Sequence, residues 1–185
     1  EDVLAQASEG QTALVAYAGD AFTVAPLTRD AGTIRSLLKV LQPDLMPVDG
    51  GRADLGLLKA GALLRQAGVA NGRVLLIADG VDPSRLADAR RAAARLRSAG
   101  DIVSVLGVGT ADAVPLTDEQ GRLVRTAAGA VQAPRLDASA LASVAQAGGG
   151  RYQSITDDGR GLESLVDAGA SGAKASSGRA KGRVE

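Results

Sequence analysis

The chain has no cysteine, no histidine and no tryptophan, and only one phenylalanine and two tyrosines. Without cysteine there is no disulfide framework and no thiolate metal site. Without histidine there is no Ser-His-Asp triad, no imidazole-ligated zinc and no imidazole acid–base step. So few aromatic rings leave no platform for stacking single-stranded bases. An excess of one charge is missing as well: Lys+Arg number 21 and Asp+Glu 21, a formal net charge of zero. That balance argues against a dedicated nucleic-acid binder, whose basic footprint should dominate. A membrane-crossing helix needs about 20 consecutive apolar residues, and no run in the chain approaches that length.

What is present is a chain of 185 residues, 45% of them hydrophobic. A chain of that size buries roughly 70% of its unfolded surface, enough for one full core. It opens at Glu1 rather than Met, which reads as a processed product or a piece of a longer protein. Many of the apolar residues are alanine, so helices are expected to pack closely on a sheet.

Thr12 to Ala18 (TALVAYA) and Phe22 to Leu27 (FTVAPL) are β-prone runs joined by a short Gly-containing connection, which predicts a hairpin. Pro26 puts the second run at a sheet edge. Asp30 to Leu41 carries Ile34, Leu37, Leu38 and Leu41 at helical spacing, with Asp30 as N-cap. Asp54 to Ala67 predicts a second helix with Leu57, Leu58 and Leu64 inward and Gly68 as its stop. Arg73 to Ala78 (RVLLIA) is a continuous apolar run, the pattern of a parallel strand buried on both faces. A helix is expected over Pro83 to Ser98, capped by Asp82, and a second buried strand over Ile102 to Val108. Residues 111–136 look irregular, with a small hairpin around Gly129. Asp137 to Ala147 predicts a capped helix closed by Gly148–Gly150, then a short strand over Tyr152 to Ile155. A last helix is expected over 161–168, and 169–185 reads as a flexible, mildly basic tail, outside a domain spanning 1–168.

Alternation of helix and strand from residue 54 onward means right-handed crossovers and an open parallel sheet. Ligands of such folds collect at the carboxyl ends of the strands. Asp79, Gly80, Gly109, Thr110 and the Gly50-Gly51 loop sit there. A carboxylate at 79 can bind a divalent cation, orient a nucleophile or cap the next helix. Asp82, three residues on, does not give the alternate-residue pair of aspartate-nucleophile phosphatases. Gly107-Val108-Gly109-Thr110 follows a strand but lacks a third glycine and an immediate helix, a weak dinucleotide signal beside the simpler reading of a tight turn. No Gly-Lys-Ser/Thr phosphate loop is present. Arg90, Arg91, Arg95 and Arg97 make one helix basic, but they spread around the cylinder as on a solvated face.

The string from Thr12 to Leu58, with YAGDAF, PLT and DLMPV in order, resembles the von Willebrand factor A (VWA) domain of Bat-type aerotolerance proteins, in particular the BatB-like branch. RVLLIADGVD (Arg73 to Asp82), IVSVLGVGTADAVPL (Ile102 to Leu116) and PRLDASALASVAQAGGGRYQSIT (Pro134 to Thr156) continue the match. The resemblance implies an α/β, Rossmann-like VWA fold: an open, mostly parallel sheet with helices on both faces and an antiparallel edge hairpin. It also implies a metal-ion-dependent adhesion site at the carboxyl-end rim. In the family that site takes Asp-x-Ser-x-Ser after the first strand, a hydroxyl residue from a later loop and an Asp after the fourth strand. Such oxygens suit Mg²⁺.

Two departures follow from that comparison. No Asp-x-Ser-x-Ser occurs, and the first central strand, which would lie between Thr12–Ala18 and Arg73–Ala78, has no counterpart. The loop hydroxyl aligns with Gly51, which has no side-chain oxygen. Asp79 alone remains, with Asp54 a speculative substitute that more simply begins its helix. The expectation is therefore no cofactor, or weakly bound Mg²⁺. Without a central strand, either the hairpin slides to pair with Arg73–Ala78 or a gap persists, each buried orphan group costing about 1–3 kcal/mol. The resemblance implies a protein-interaction module rather than an enzyme. Its partner-binding rim would comprise Gly50, Gly51, Arg52, Asp54, Asp79, Gly80 and Thr110. Its partner would be another protein, within a membrane-associated complex, and not nucleic acid. The parent chain would be anchored in a bacterial inner membrane with the domain in the periplasm. The alternative from the residues is a small Rossmann-like enzyme or nucleotide- or phosphate-binding domain using Asp79 and Gly107 to Thr110.

Overall fold

The computed structural model describes residues 10–42, 46–110, 112, 115, 117, 120–125, 129, 131 and 135–155. The helix expected over 161–168 and the tail over 169–185 lie outside the described residues.

Two β-prone runs fold back on each other as β1 (Thr12–Tyr17) and β2 (Ala21–Thr28), an antiparallel pair joined by residues 18–20. The register shifts twice, between Thr12 and Leu14 and again between Leu14 and Val15. Extra residues of β2 bulge there, which increases the local twist. Pro26 is exposed on β2, which pairs only with β1 among the described residues. Helix α1 (Ala31–Val40) follows, its first turn held by the Asp30 carboxylate, which accepts from the Thr33 amide at 3.0 Å. It buries Ile34, which with Leu37 packs on Leu14 and Ala25. The apolar stripe is narrower than its sequence spacing implies, since Leu38 is exposed.

After helix α2 (Ala53–Gln66), strands β3 (Arg73–Ala78), β4 (Ile102–Gly107) and β5 (Gly149–Ser154) form a parallel sheet in the order β3-β4-β5. Helices α3 (Leu86–Ser98) and α4 (Ala138–Ala147) are the crossovers. Val103 and Val105 of β4 and Leu76 of β3 share one cluster with Leu57 of α2, Leu96 of α3 and Leu141 and Val144 of α4. Ala89, Ala92 and Ala93 bring α3 close to its neighbours, as the alanine-rich composition implied.

Among the described residues the two sheets do not pair with each other, and the hairpin has not slid onto β3. Helix α2 spans the seam and packs on β1, β2 and β3. Several expectations are corrected. β3 is not buried on both faces; Ile77 is 51% exposed. Val74, Leu76 and Ala78 share the face that enters the core, while Arg73, Leu75 and Ile77 alternate to the other. Leu58 points outward from α2 at 40% exposure, off the stripe set by Leu57 and Leu64. Helix α3 begins at Leu86, not Pro83. The Asp82 carboxylate takes the Ser84 amide and hydroxyl at 2.8 and 2.7 Å, building a turn before the helix can start. β5 begins at Gly149, because Gly149 and Gly150 continue as strand instead of only closing α4. The small hairpin near Gly129 reduces to isolated bridges, Thr117 with Leu123 and Arg125 with Val131.

Candidate functional site

The carboxyl ends of β3 and β4 form one rim. Asp79 and Gly80 leave β3, and Val108 to Thr110 leave β4. The segment before α4 is laid across both ends. Leu136 donates its amide to the Thr110 carbonyl and Asp137 donates to the Asp79 carbonyl, each at 2.9 Å. Asp137 also caps α4 by accepting from the Ala140 amide at 3.0 Å. That hydrogen bond, with the one from Ser139, holds its carboxyl below the usual range. The Asp79 side chain is exposed and has no hydrogen bond among the described residues. Thr110 is exposed and turns its hydroxyl to the Asp112 carbonyl at 2.9 Å.

Gly50, Gly51, Arg52 and Asp54 form a second group around the hairpin tip. The Gly19 amide donates to the Val48 carbonyl at 2.8 Å, and the Arg52 amide to the Ala18 carbonyl at 2.7 Å. Gly50 has φ +146°, and a Cβ there would lie 3.0 Å from the Gly19 Cα. Gly50 is thus a close-approach position that clips the loop to the hairpin. Gly51 is different: a Cβ there would meet nothing within 4 Å. Arg52 forms a two-pronged ion pair with Asp54, 2.8 Å at each contact. The Asp54 side chain is 6% exposed. The Arg52 hydrogen bond holds its carboxyl below the usual range, against the opposing effect of burial.

The sequence reading missed Tyr17, the residue between the two groups. Its ring packs on Gly56 of α2, where a Cβ would come within 3.0 Å of it. Its hydroxyl points at the Ile77 carbonyl at 3.4 Å. Burial, and then the nearby Asp79 charge, push its pKa up to about 12. The signal was available: a lone tyrosine at the end of an apolar run in a chain with two. Tyr152 lies beyond β4 with its hydroxyl buried and without a partner among the described residues. Gly107 is where it fits, since a Cβ there would meet that hydroxyl at 2.7 Å.

This donor set does not fit a tightly held Mg²⁺, which wants octahedral oxygen ligation including carboxylates. Asp79 offers one carboxylate, Asp54 is neutralised by Arg52, and Gly51 has no side-chain oxygen to give. Among the described residues no three acidic side chains come together. Nor does the cleft of about 310 Å³ between α2 and α3 read as an anion site. Arg52, Arg91 and Arg95 line it together with Asp54 and Asp88, and Arg91 is paired to Asp88.

A three-stranded parallel sheet, a separate antiparallel hairpin, crossover helices and loops gathered at the carboxyl-end rim make a VWA-type, Rossmann-like fold. Solved structures agree. The von Willebrand factor type A protein from Catenulispora acidiphila is similar at a TM-score of 0.61 and 17% identity, over 89% of this chain and 34% of that one. More particularly, the chain resembles Bat-type proteins. The conserved hypothetical protein BatB from Bacteroides thetaiotaomicron matches 90% of this chain and 80% of its own, at 25% identity and a TM-score of 0.78. An aerotolerance-related membrane protein from Bacteroides fragilis matches 89% of this chain and 83% of its own, at 25% identity and a TM-score of 0.75. No family model and no curated protein matches the chain. Among the described residues, no helix is long and apolar enough to cross a membrane.

Proposed function

We propose that this chain is a protein-interaction module of a membrane-anchored bacterial assembly, with a degenerate metal-ion-dependent adhesion site, and not an enzyme. One observation carries the reading: the VWA rim keeps the exposed Asp79 while its second acid, Asp54, is locked to Arg52. A rim of that kind offers a partner protein a lone carboxylate and a rigid surface, not a metal bridge. Gly50, Gly51, Arg52, Gly80 and Thr110 supply the rest of that surface. The likeness to an aerotolerance-related membrane protein supports a membrane-anchored parent chain; the inner membrane, with the domain on the periplasmic side, is part of the proposal.

Calorimetric titration tests the metal half of this reading. Mg²⁺ and Mn²⁺ should bind no tighter than millimolar, and Asp79→Asn should leave the titration unchanged. A micromolar site that Asp79→Asn abolishes would sink it. Cross-linking from a photoreactive residue placed at Thr110 tests the other half. It should trap a protein at the rim and not at a control position on the exposed face of α3.

A further inference from the structure

The chain holds a single asparagine, Asn71, and a glycine follows it. The pair lies in the connection between α2 and β3. Asn71 is exposed and has φ +59°, the one non-glycine residue with positive φ among those described. Asparagine is among the few side chains that tolerate that conformation. Gly72 is buried, and a Cβ there would lie 2.6 Å from the Leu64 side chain and 2.9 Å from the Asp101 carboxylate. Backbone conformation therefore favours asparagine at 71, and packing demands glycine at 72. The resulting dipeptide is chemically labile. With no side chain on the glycine to hinder approach, its amide nitrogen can reach the carbonyl carbon of the asparagine side chain.

The fold holds that nitrogen back. The Gly72 amide donates to Asp101 Oδ1 at 2.8 Å, and the Gly72 carbonyl accepts from the Ile102 amide at 2.9 Å. Asp101 is itself buried. A carboxylate is far too weak a base to take an amide proton, so Asp101 does not activate the nitrogen. It keeps the N–H occupied in a charge-assisted hydrogen bond, away from water and hydroxide. Attack requires the amide to turn toward the Asn71 side chain, and both hydrogen bonds on Gly72 oppose that rotation.

We propose that Asn71 is a site of spontaneous covalent modification, with Asp101 as the positioning residue that sets its rate. When the turn opens, the Gly72 nitrogen bonds to Asn71 Cγ and the Cγ–Nδ2 bond breaks. The Gly72 amide proton leaves with the side-chain nitrogen as ammonia. Water then opens the cyclic imide. Cleavage of the new Cγ–N bond leaves aspartate, and cleavage of the original backbone C–N bond leaves isoaspartate. Either product adds a carboxylate to a turn that already buries the one of Asp101, and like charges repel. Isoaspartate also lengthens the main chain by one carbon just ahead of β3. Both changes disfavour reclosure, so an opening that reacts is not reversed. This inference is independent of what the rim binds.

The test incubates the full chain at mildly alkaline pH and maps its peptides by mass spectrometry. The readout is the mass gained when the Asn71 amide becomes an acid, which isomerisation at an Asp-Gly pair does not produce. In urea, Asn71 should convert about tenfold or more faster than in native buffer. In native buffer, Asp101→Ala should convert about tenfold faster than the parent. Asp101→Asn, whose amide oxygen still accepts, should stay near the parent rate. Because Asp101→Ala can fail to fold, a second measurement uses the parent alone. Across urea concentrations below the unfolding transition, conversion should rise in step with hydrogen exchange of the Gly72 amide. The proposal is overturned if Asn71 converts equally fast in native buffer and urea, or stays intact in urea. It is overturned equally if a folded Asp101→Ala matches the parent, if Asp101→Asn is as fast as Asp101→Ala, or if conversion stays flat while Gly72 opens.

Discussion

The parallel sheet and the hairpin are made from similar apolar runs, yet they are held in different ways. Around β4, side chains from three helices close over Val103 and Val105, which have no exposed surface. The hairpin has one helix of its own, and its own cluster contains only Ala25 and Ile34 as fully enclosed members. Every residue of β1 is half-buried. The difference shows that a two-stranded ribbon does not build a core alone. It borrows one from α2, on which its Tyr17 packs, and from the loop clipped to its tip.

The sharpest way to break this comparison is to truncate one side chain in each region. Leu141→Ala should cost about 4 kcal/mol, because its cavity is walled by three helices and a central strand and cannot collapse. Ile34→Ala should cost about 2 kcal/mol, since α1 can settle onto the ribbon. Urea denaturation measures both, and an equal or reversed pair of values would show that the hairpin is no weaker than the sheet. The next contrast is at the clip. Gly50→Ala should cost about 2 kcal/mol, from its left-handed backbone and its approach to Gly19. Gly51→Ala should stay within about 0.5 kcal/mol. Thermal melts of the two variants separate a structural glycine from a merely exposed one.

The smallest effect lies at the seam and depends on pH. Asp54 titrates below its ordinary value of 3.8 in the folded chain, held there by Arg52. The unfolded chain therefore binds its proton first as pH falls, and the stabilisation is present above pH 3.8 and lost through the folded value below it. Asp54→Asn should lower the melting temperature at neutral pH, and its deficit against the parent should shrink as pH drops below about 4. A deficit that stays constant with pH would mean that the ion pair does not tie the loop to α2. Asp30 and Asp137, also held low by their cap hydrogen bonds, titrate in both proteins and cancel in that difference.

Much of this architecture was legible. The limits of β3 were read residue for residue from RVLLIA, and Asp30 and Asp137 do cap their helices. Local chemistry decides such features within a few residues. Pro83 misled because its suitability for a first helical turn says nothing of Asp82 diverting to Ser84. Gly148–Gly150 read as a stop because a sequence shows flexibility but not proximity. In the structure a side chain at Gly150 would meet the Val103 backbone, so the glycine admits β5 to β4. In the candidate site, the positions of Asp79 and Thr110 at the rim followed from strand ends. The pairing of Arg52 with Asp54 and the role of Tyr17 did not.

By itself the sequence determined the order of elements, their caps, and a chemistry without imidazole or thiol; these depend on residue type and short-range spacing alone. Only the tertiary structure decided that the hairpin and the parallel sheet stay apart, that Asp54 is spoken for, and that one tyrosine bridges the seam. The Asp54 pairing is with a residue two positions away, but the tyrosine's contact joins residues 60 positions apart. Packing fixes such contacts, because no local preference of the chain distinguishes a paired edge from an open one.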